Sequence, residues 1–128
     1  MTNYTLVVDD DAILLFLMKK LISKTNFAEQ AGFFDGGAKA LDFIKDNYRP
    51  GKAHFTIFLD INMPEMNGWE FLEALAAFAS PEHISVIIIT SSTDQEDQNR
   101  AHGNTFVRDF LIKPVKAEDL EHVEQLLS

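Results

Sequence analysis

Asp9, Asp10 and Asp11 follow directly on the short apolar run Leu6-Val7-Val8. Asp60, Thr90 and Lys113 each follow an apolar run of their own. Carboxylates gathered in a partly buried cleft cannot all stay ionised without a counter-charge. A divalent cation supplies one, and a few oxygen ligands with room for water suit Mg²⁺ better than a transition metal. An aspartate, a hydroxyl and an ammonium beside such an ion form the parts of a phosphoryl-transfer site. The carboxylate can act as nucleophile and become an acyl phosphate, with the growing negative charge offset by the ion. Lys113 can hold a phosphoryl oxygen as a point charge. Thr90 Oγ and the backbone N–H of Ser91 can take another. Catalysis of this kind is positioning and electrostatics and needs no general base. Any one of these acids alone has a plainer reading as a helix N-cap or a solvated strand end, and Asp11 suits an N-cap.

The chemistry requires these residues to meet, which makes it a demand on the fold. Strand patterns cover residues 6–8, 27–34 (weakly, interrupted by Glu29 and Gln30), 54–59, 84–89 and 106–112. Helical patterns cover residues 12–24, 38–47, 69–78, 94–102 and 118–127. Gly36-Gly37 and Pro50-Gly51 mark turns. Residues 84–89 are apolar apart from Ser85, the pattern of a central parallel strand covered on both faces. Strand alternates with helix five times, which predicts an α/β fold: a doubly wound, five-stranded parallel sheet with helices on both faces. In such a sheet the ligand site lies beyond the C-terminal strand ends. Asp9, Asp10, Asp60, Thr90 and Lys113 all fall there.

In the first helix, Ile13, Leu14, Leu17, Leu21 and Ile22 have the spacing of an inward face, and Leu15, Phe16 and Met18 widen it. Core packing is the plainer role for the surplus, partner contact the sharper one. The segment 94–102 has one apolar residue, Ala101, and is expected to be short or mobile.

The chain has 128 residues, enough for one domain of ordinary size. Twenty acids against eleven Lys and Arg give a net charge of −9. That excess argues against binding to duplex nucleic acid or an anionic membrane surface. Cysteine is absent, so there is no disulfide framework and no thiol nucleophile. There is no signal-peptide pattern at the N-terminus and no apolar run near the ~20 residues of a membrane helix. The expectation is a cytoplasmic protein with no membrane insertion. His54, His83, His102 and His122 lack ligand spacing, and Gly36-Gly37 lacks the setting of a nucleotide-binding loop.

Five motifs occur in order: Val7-Val8-Asp9-Asp10, Leu59-Asp60-Ile61-Asn62-Met63-Pro64, Gly68, Ile89-Thr90-Ser91 and Lys113-Pro114. In this order and on strand ends, they make the chain resemble the receiver domain of two-component response regulators in its single-domain form. The resemblance implies a flavodoxin-like (CheY-like) sheet of order 2-1-3-4-5 with five helices, and residues 1–128 as one receiver domain without an effector domain. It implies Asp60 as phosphoacceptor, with Thr90 and Lys113 as its catalytic companions. It implies Mg²⁺ on Asp10, Asp60 and the backbone carbonyl of Asn62, with Asp9 joined through water. Thr90 becomes the switch hydroxyl, and Phe110 stands at the aromatic switch position, without a phenolic oxygen. Ser92 and Asn62 stand where phosphoryl lifetime is tuned, and the Lys113-Pro114 peptide is expected to be cis. The donor would be a phosphohistidine on a sensor histidine kinase or a histidine phosphotransfer protein, and output would go to a downstream protein. The domain would act on itself, not as an enzyme. Two rivals use the same residues. One is a Mg²⁺-dependent phosphatase of the haloacid-dehalogenase kind working through the Asp9-x-Asp11 spacing, for which the chain lacks the length of a cap domain. The other is a binding module that is never phosphorylated.

Overall fold

The computed structural model describes residues 1–128 as ten alternating elements. They are β1 (Thr2–Val8), α1 (Ala12–Ile22), β2 (Ala31–Phe34), α2 (Gly37–Asn47), β3 (Ala53–Asp60), α3 (Gly68–Ala76), β4 (Ile84–Thr90), α4 (Gln95–His102), β5 (Val107–Ile112) and α5 (Ala117–Leu127). The five strands are parallel in the order β2-β1-β3-β4-β5. This is the doubly wound sheet read from the sequence. The order reverses at β1, so the loops after β1 and β3 open side by side at the C-terminal edge.

β4 is rich in Ile and β3 in Phe, Ile and Leu because side chains point to both faces and both are covered. Leu6, Val8, Ile57, Leu59, Val86 and Ile88 pack beneath α2, α3 and α4 with Leu41, Ile44, Phe71 and Leu75. Val7, Phe58, Ile87, Ile89 and Leu111 face the other way, against Leu14, Met18 and Ile22 of α1 and Leu120 and Val123 of α5. Fully burying one such side chain stabilises by about 1.5–3 kcal/mol, so both faces contribute to fixing the strand ends.

The inward face of α1 matches the predicted one at Leu14 and Ile22 and departs from it at Ile13 and Leu17. Leu14, Met18 and Ile22 are buried, whereas Ile13 (71% exposed), Phe16 (58%) and Leu17 (50%) face outward. The series 13, 17, 21 and the series 14, 18, 22 are one residue apart, or about 100° around the helix. Packing against Val7, Phe58 and Leu120 selects the second. Of the surplus residues, Met18 lies in the core, Leu15 is half-buried and Phe16 is exposed. The weak second strand shrinks to Ala31–Phe34. The polar segment does form a helix, α4, but only Ala101 on it is buried.

Candidate functional site

β1 runs out at Val8, and the next carboxylate, Asp9, is completely buried. Its Oδ1 accepts the N–H of Asp11 at 2.8 Å, which pins the chain where it turns into α1. Asp11 does not join the pocket. Its Oδ1 accepts from the N–H groups of Ile13 (2.9 Å) and Leu14 (3.5 Å), the N-cap role read from the sequence. Asp10 stays exposed. Asp60 is the last residue of β3 and is buried. Carboxylate oxygens of Asp9, Asp10 and Asp60 lie within 4.8 Å of one another. The same grouping leaves Asp11 out and disfavours the Asp9-x-Asp11 phosphatase reading.

Lys113 follows β5 and supplies the counter-charge. Its Nζ is 2.9 Å from Asp9 Oδ2 and 3.7 Å from Asp60 Oδ2. Burial alone would lower its pKa. The hydrogen bond to Asp9 and the carboxylates of Asp60, Asp9 and Asp11 outweigh that and raise it. Asp60 moves the other way from an ordinary exposed acid. Burial raises its pKa, and the charges of Asp9 and Asp10 add to that. The N–H of Asn62 and the ammonium of Lys113 only partly offset them. The Lys113-Pro114 peptide is cis, and the Lys113 N–H donates to the Thr90 carbonyl at 2.8 Å, tying the ends of β4 and β5.

The loop after β3 folds back tightly. The N–H of Asn62 donates to Asp60 Oδ1 at 3.1 Å, and the N–H of Gly68 to the Ile61 carbonyl at 3.1 Å. A Cβ at Gly68 would sit 2.7 Å from Ile61 Cα and 2.9 Å from the Asp60 carbonyl oxygen. Only glycine lets α3 start so close to the end of β3. The Asn62 side chain turns away from the acids, and its Nδ2 donates to Thr90 Oγ at 3.3 Å. Thr90 is completely buried, and its Oγ also accepts the N–H of Ser92 at 3.1 Å.

Every predicted site residue except Phe110 therefore meets at one edge. Phe110 lies on β5, half-buried under α4, and lines a cavity of about 310 Å³ with Gln98, Ala101 and His102. The histidines stay away from the acids, as their spacing implied. His54 Nε2 is 3.3 Å from Ser85 Oγ, His83 Nδ1 3.1 Å from Tyr48 Oη, and His122 Nε2 3.7 Å from Asp109 Oδ2. Burial, His83 and Arg108 lower the His54 pKa. Trp69 packs on α3 with the Arg100 guanidinium 4.6 Å above its ring. Asp97 is the residue the sequence reading missed. It accepts from Ser92 Oγ at 3.0 Å. The available signal was a hydroxyl two residues after Thr90 followed by an acid in the first turn of the next helix.

A family model described as the response regulator receiver domain matches residues 5–124. A protein named "Probable methanogenesis regulatory protein FilR2", from Methanothrix harundinacea, is 28% identical over 123 residues, covering 94% of this chain and 79% of that protein. A protein-glutamate methylesterase/protein-glutamine glutaminase of Burkholderia thailandensis is 32% identical over 110 residues, covering 85% of this chain and 28% of that protein. The chain thus spans less than a third of that second relative. The crystal structure of a two-component response regulator from Cytophaga hutchinsonii is similar at a TM-score of 0.85 and 29% identity, over 98% of this chain and 97% of that one. With the acid pocket at the edge where the sheet order reverses and a match across nearly its whole length, the chain belongs to the response regulator receiver domain family.

Proposed function

We propose that Asp60 accepts a phosphoryl group from a phosphohistidine on a sensor histidine kinase or histidine phosphotransfer protein, and that this switches a protein-interaction surface. The observation that carries the reading is the position of Lys113 Nζ between the carboxylates of Asp9 and Asp60 at the mouth of the sheet. An ammonium there offsets part of the pocket's negative charge at rest and can turn to a phosphoryl oxygen on Asp60. A carboxylate oxygen of Asp60 attacks phosphorus, and the P–N bond breaks. Its electron pair returns to the donor imidazole, and an acyl phosphate remains on Asp60.

The donor set fits Mg²⁺, being oxygen-only with three carboxylates in reach of one another and one of them exposed. Asp10, Asp60 and the Asn62 carbonyl would hold the ion, with Asp9 joined through water. Bound there, it would offset the charge that builds on the phosphoryl oxygens. The Thr90 hydroxyl spends its lone pairs on Asn62 and Ser92. Its proton is left to donate to a phosphoryl oxygen. Its movement, with rotation of Phe110 into the space under α4, shifts a population of surface states.

Residues 1–128 act as one receiver domain through protein contact, in the cytoplasm, without binding nucleic acid. No helix is long and apolar enough to cross a membrane. The phosphoryl chemistry is on the domain itself. The exposed Ile13, Phe16 and Leu17 begin three residues after Asp10 and offer the donor protein an apolar footing beside the pocket.

Intact-protein mass after incubation with acetyl phosphate and Mg²⁺ tests the proposal. One phosphoryl adduct is expected on the wild type, absent from Asp60→Asn and absent when EDTA replaces Mg²⁺. An adduct that survives in Asp60→Asn would overturn it.

A further inference from the structure

A continuous line of hydrogen bonds leaves the acid pocket and ends on α4. Asn62 Nδ2 and the Ser92 N–H both donate to Thr90 Oγ. Ser92 Oγ donates to Asp97 Oδ2 at 3.0 Å and accepts the N–H of Asp94 at 3.2 Å. Asp94 caps α4 and Asp97 lies in its first turn. The rest of α4 is lightly held, with Ala101 its one buried residue and Arg100 resting on Trp69. The cavity of about 310 Å³ under it gives it room to move. Phe110 lines that cavity but has no hydroxyl, so it cannot take part in a polar line.

We propose that Asp97 is a positioning residue that makes α4 follow Thr90. It deepens, and rests on, the reading of Asp60 as phosphoacceptor. Asp97 holds Ser92 Oγ, which fixes the Ser92 N–H on Thr90 Oγ. The Ser92 N–H donates to the buried Thr90 Oγ at 3.1 Å, so movement of Thr90 toward a phosphoryl oxygen on Asp60 draws Ser92 along. With Ser92 tied to Asp97, the displacement passes into the first turn of α4. Without the tie, residues 91–94 absorb it. One hydrogen bond between two states corresponds to about a fivefold change in their ratio, enough to bias a helix this lightly packed.

Hydrogen exchange of residues 95–102, read by mass spectrometry with and without acetyl phosphate and Mg²⁺, tests this. In the wild type, modification is expected to change exchange there about fivefold. Asp97→Leu is expected to carry the same phosphoryl mass while residues 95–102 exchange alike in both states. Asp97→Asn keeps an oxygen that accepts from Ser92 and is expected to keep the response, a rescue that a merely structural acid would not give. Ser92→Ala removes the same bond from its other end and is expected to lose the response, which covers the case of Asp97→Leu failing to fold. A wild-type-sized change in fully modified Asp97→Leu or Ser92→Ala would overturn the proposal. Absence of any phosphoryl adduct on the wild type would overturn the Asp60 reading first, and is visible in the mass before exchange is measured.

Discussion

Replacing Lys113 by Met leaves Asp9 as a completely buried carboxylate whose neighbours are other carboxylates. Removing one partner of a buried ion pair costs about 3–5 kcal/mol. The Lys113 side chain retains 21% exposure, so water reaches the pair from one side and the lower figure, about 3 kcal/mol, applies. Lys113 also lowers the pKa of Asp60, which burial and the charges of Asp9 and Asp10 already raise, so without Lys113 the folded chain gains more from binding a proton there than the unfolded chain does. The loss in Lys113→Met is therefore expected to shrink as the pH falls. Asp9→Asn makes the opposite cut. It leaves a partly exposed ammonium still beside Asp60, keeps an oxygen for the Asp11 N–H and removes one like charge, so it is expected to cost under about 1 kcal/mol. Urea denaturation in EDTA reads both. With a slope of roughly 1.5 kcal/mol/M, Lys113→Met should lower the midpoint by about 2 M at pH 7. A loss below about 0.5 kcal/mol, or one equally large at pH 5.5, would show that Lys113 does not hold the acid pocket together by charge.

Mg²⁺ at a hundredfold excess over its dissociation constant is expected to stabilise the wild type by about 2.7 kcal/mol, seen as a rise in Tm that Asp10→Asn abolishes. Met18→Ala should cost about 2–4 kcal/mol in urea and Leu17→Ala less than about 0.5 kcal/mol, because Met18 is completely buried and Leu17 is half exposed. Folding holds the His54 pKa below its ordinary 6.5, so below that pH the unfolded chain binds more protons and stability falls. The midpoint is expected to drop more between pH 7.5 and 5.5 in the wild type than in His54→Gln, a comparison in which the opposing contribution of Asp60 cancels.

The strand ends were legible because each changes abruptly from apolar residues to one polar residue, and alternation with helices forces those ends onto one edge. Asp9, Asp10, Asp60, Thr90 and Lys113 needed no more than that. The inward face of α1 was only partly legible: Leu14 and Ile22 were read correctly, Ile13 and Leu17 were not. Its first seven residues, Ala12 to Met18, are all apolar, so periodicity cannot fix the phase and tertiary contacts with Val7 and Leu120 decide it. The N-cap role of Asp11 was visible in its type and place. The bond from Ser92 to Asp97 was hidden, because it depends on how the loop after β4 turns into α4. The bond from Asn62 to Thr90 was hidden too. It joins residues 28 apart that belong to different loops.

The most direct test of Asp60 as phosphoacceptor is to trap the acyl phosphate. The protein is treated with acetyl phosphate and Mg²⁺, reduced with borohydride, digested and sequenced by mass spectrometry. Homoserine in place of the residue at position 60, and nowhere else, is the predicted result. Homoserine at position 9 or 10, with Asp60 unchanged, would contradict it.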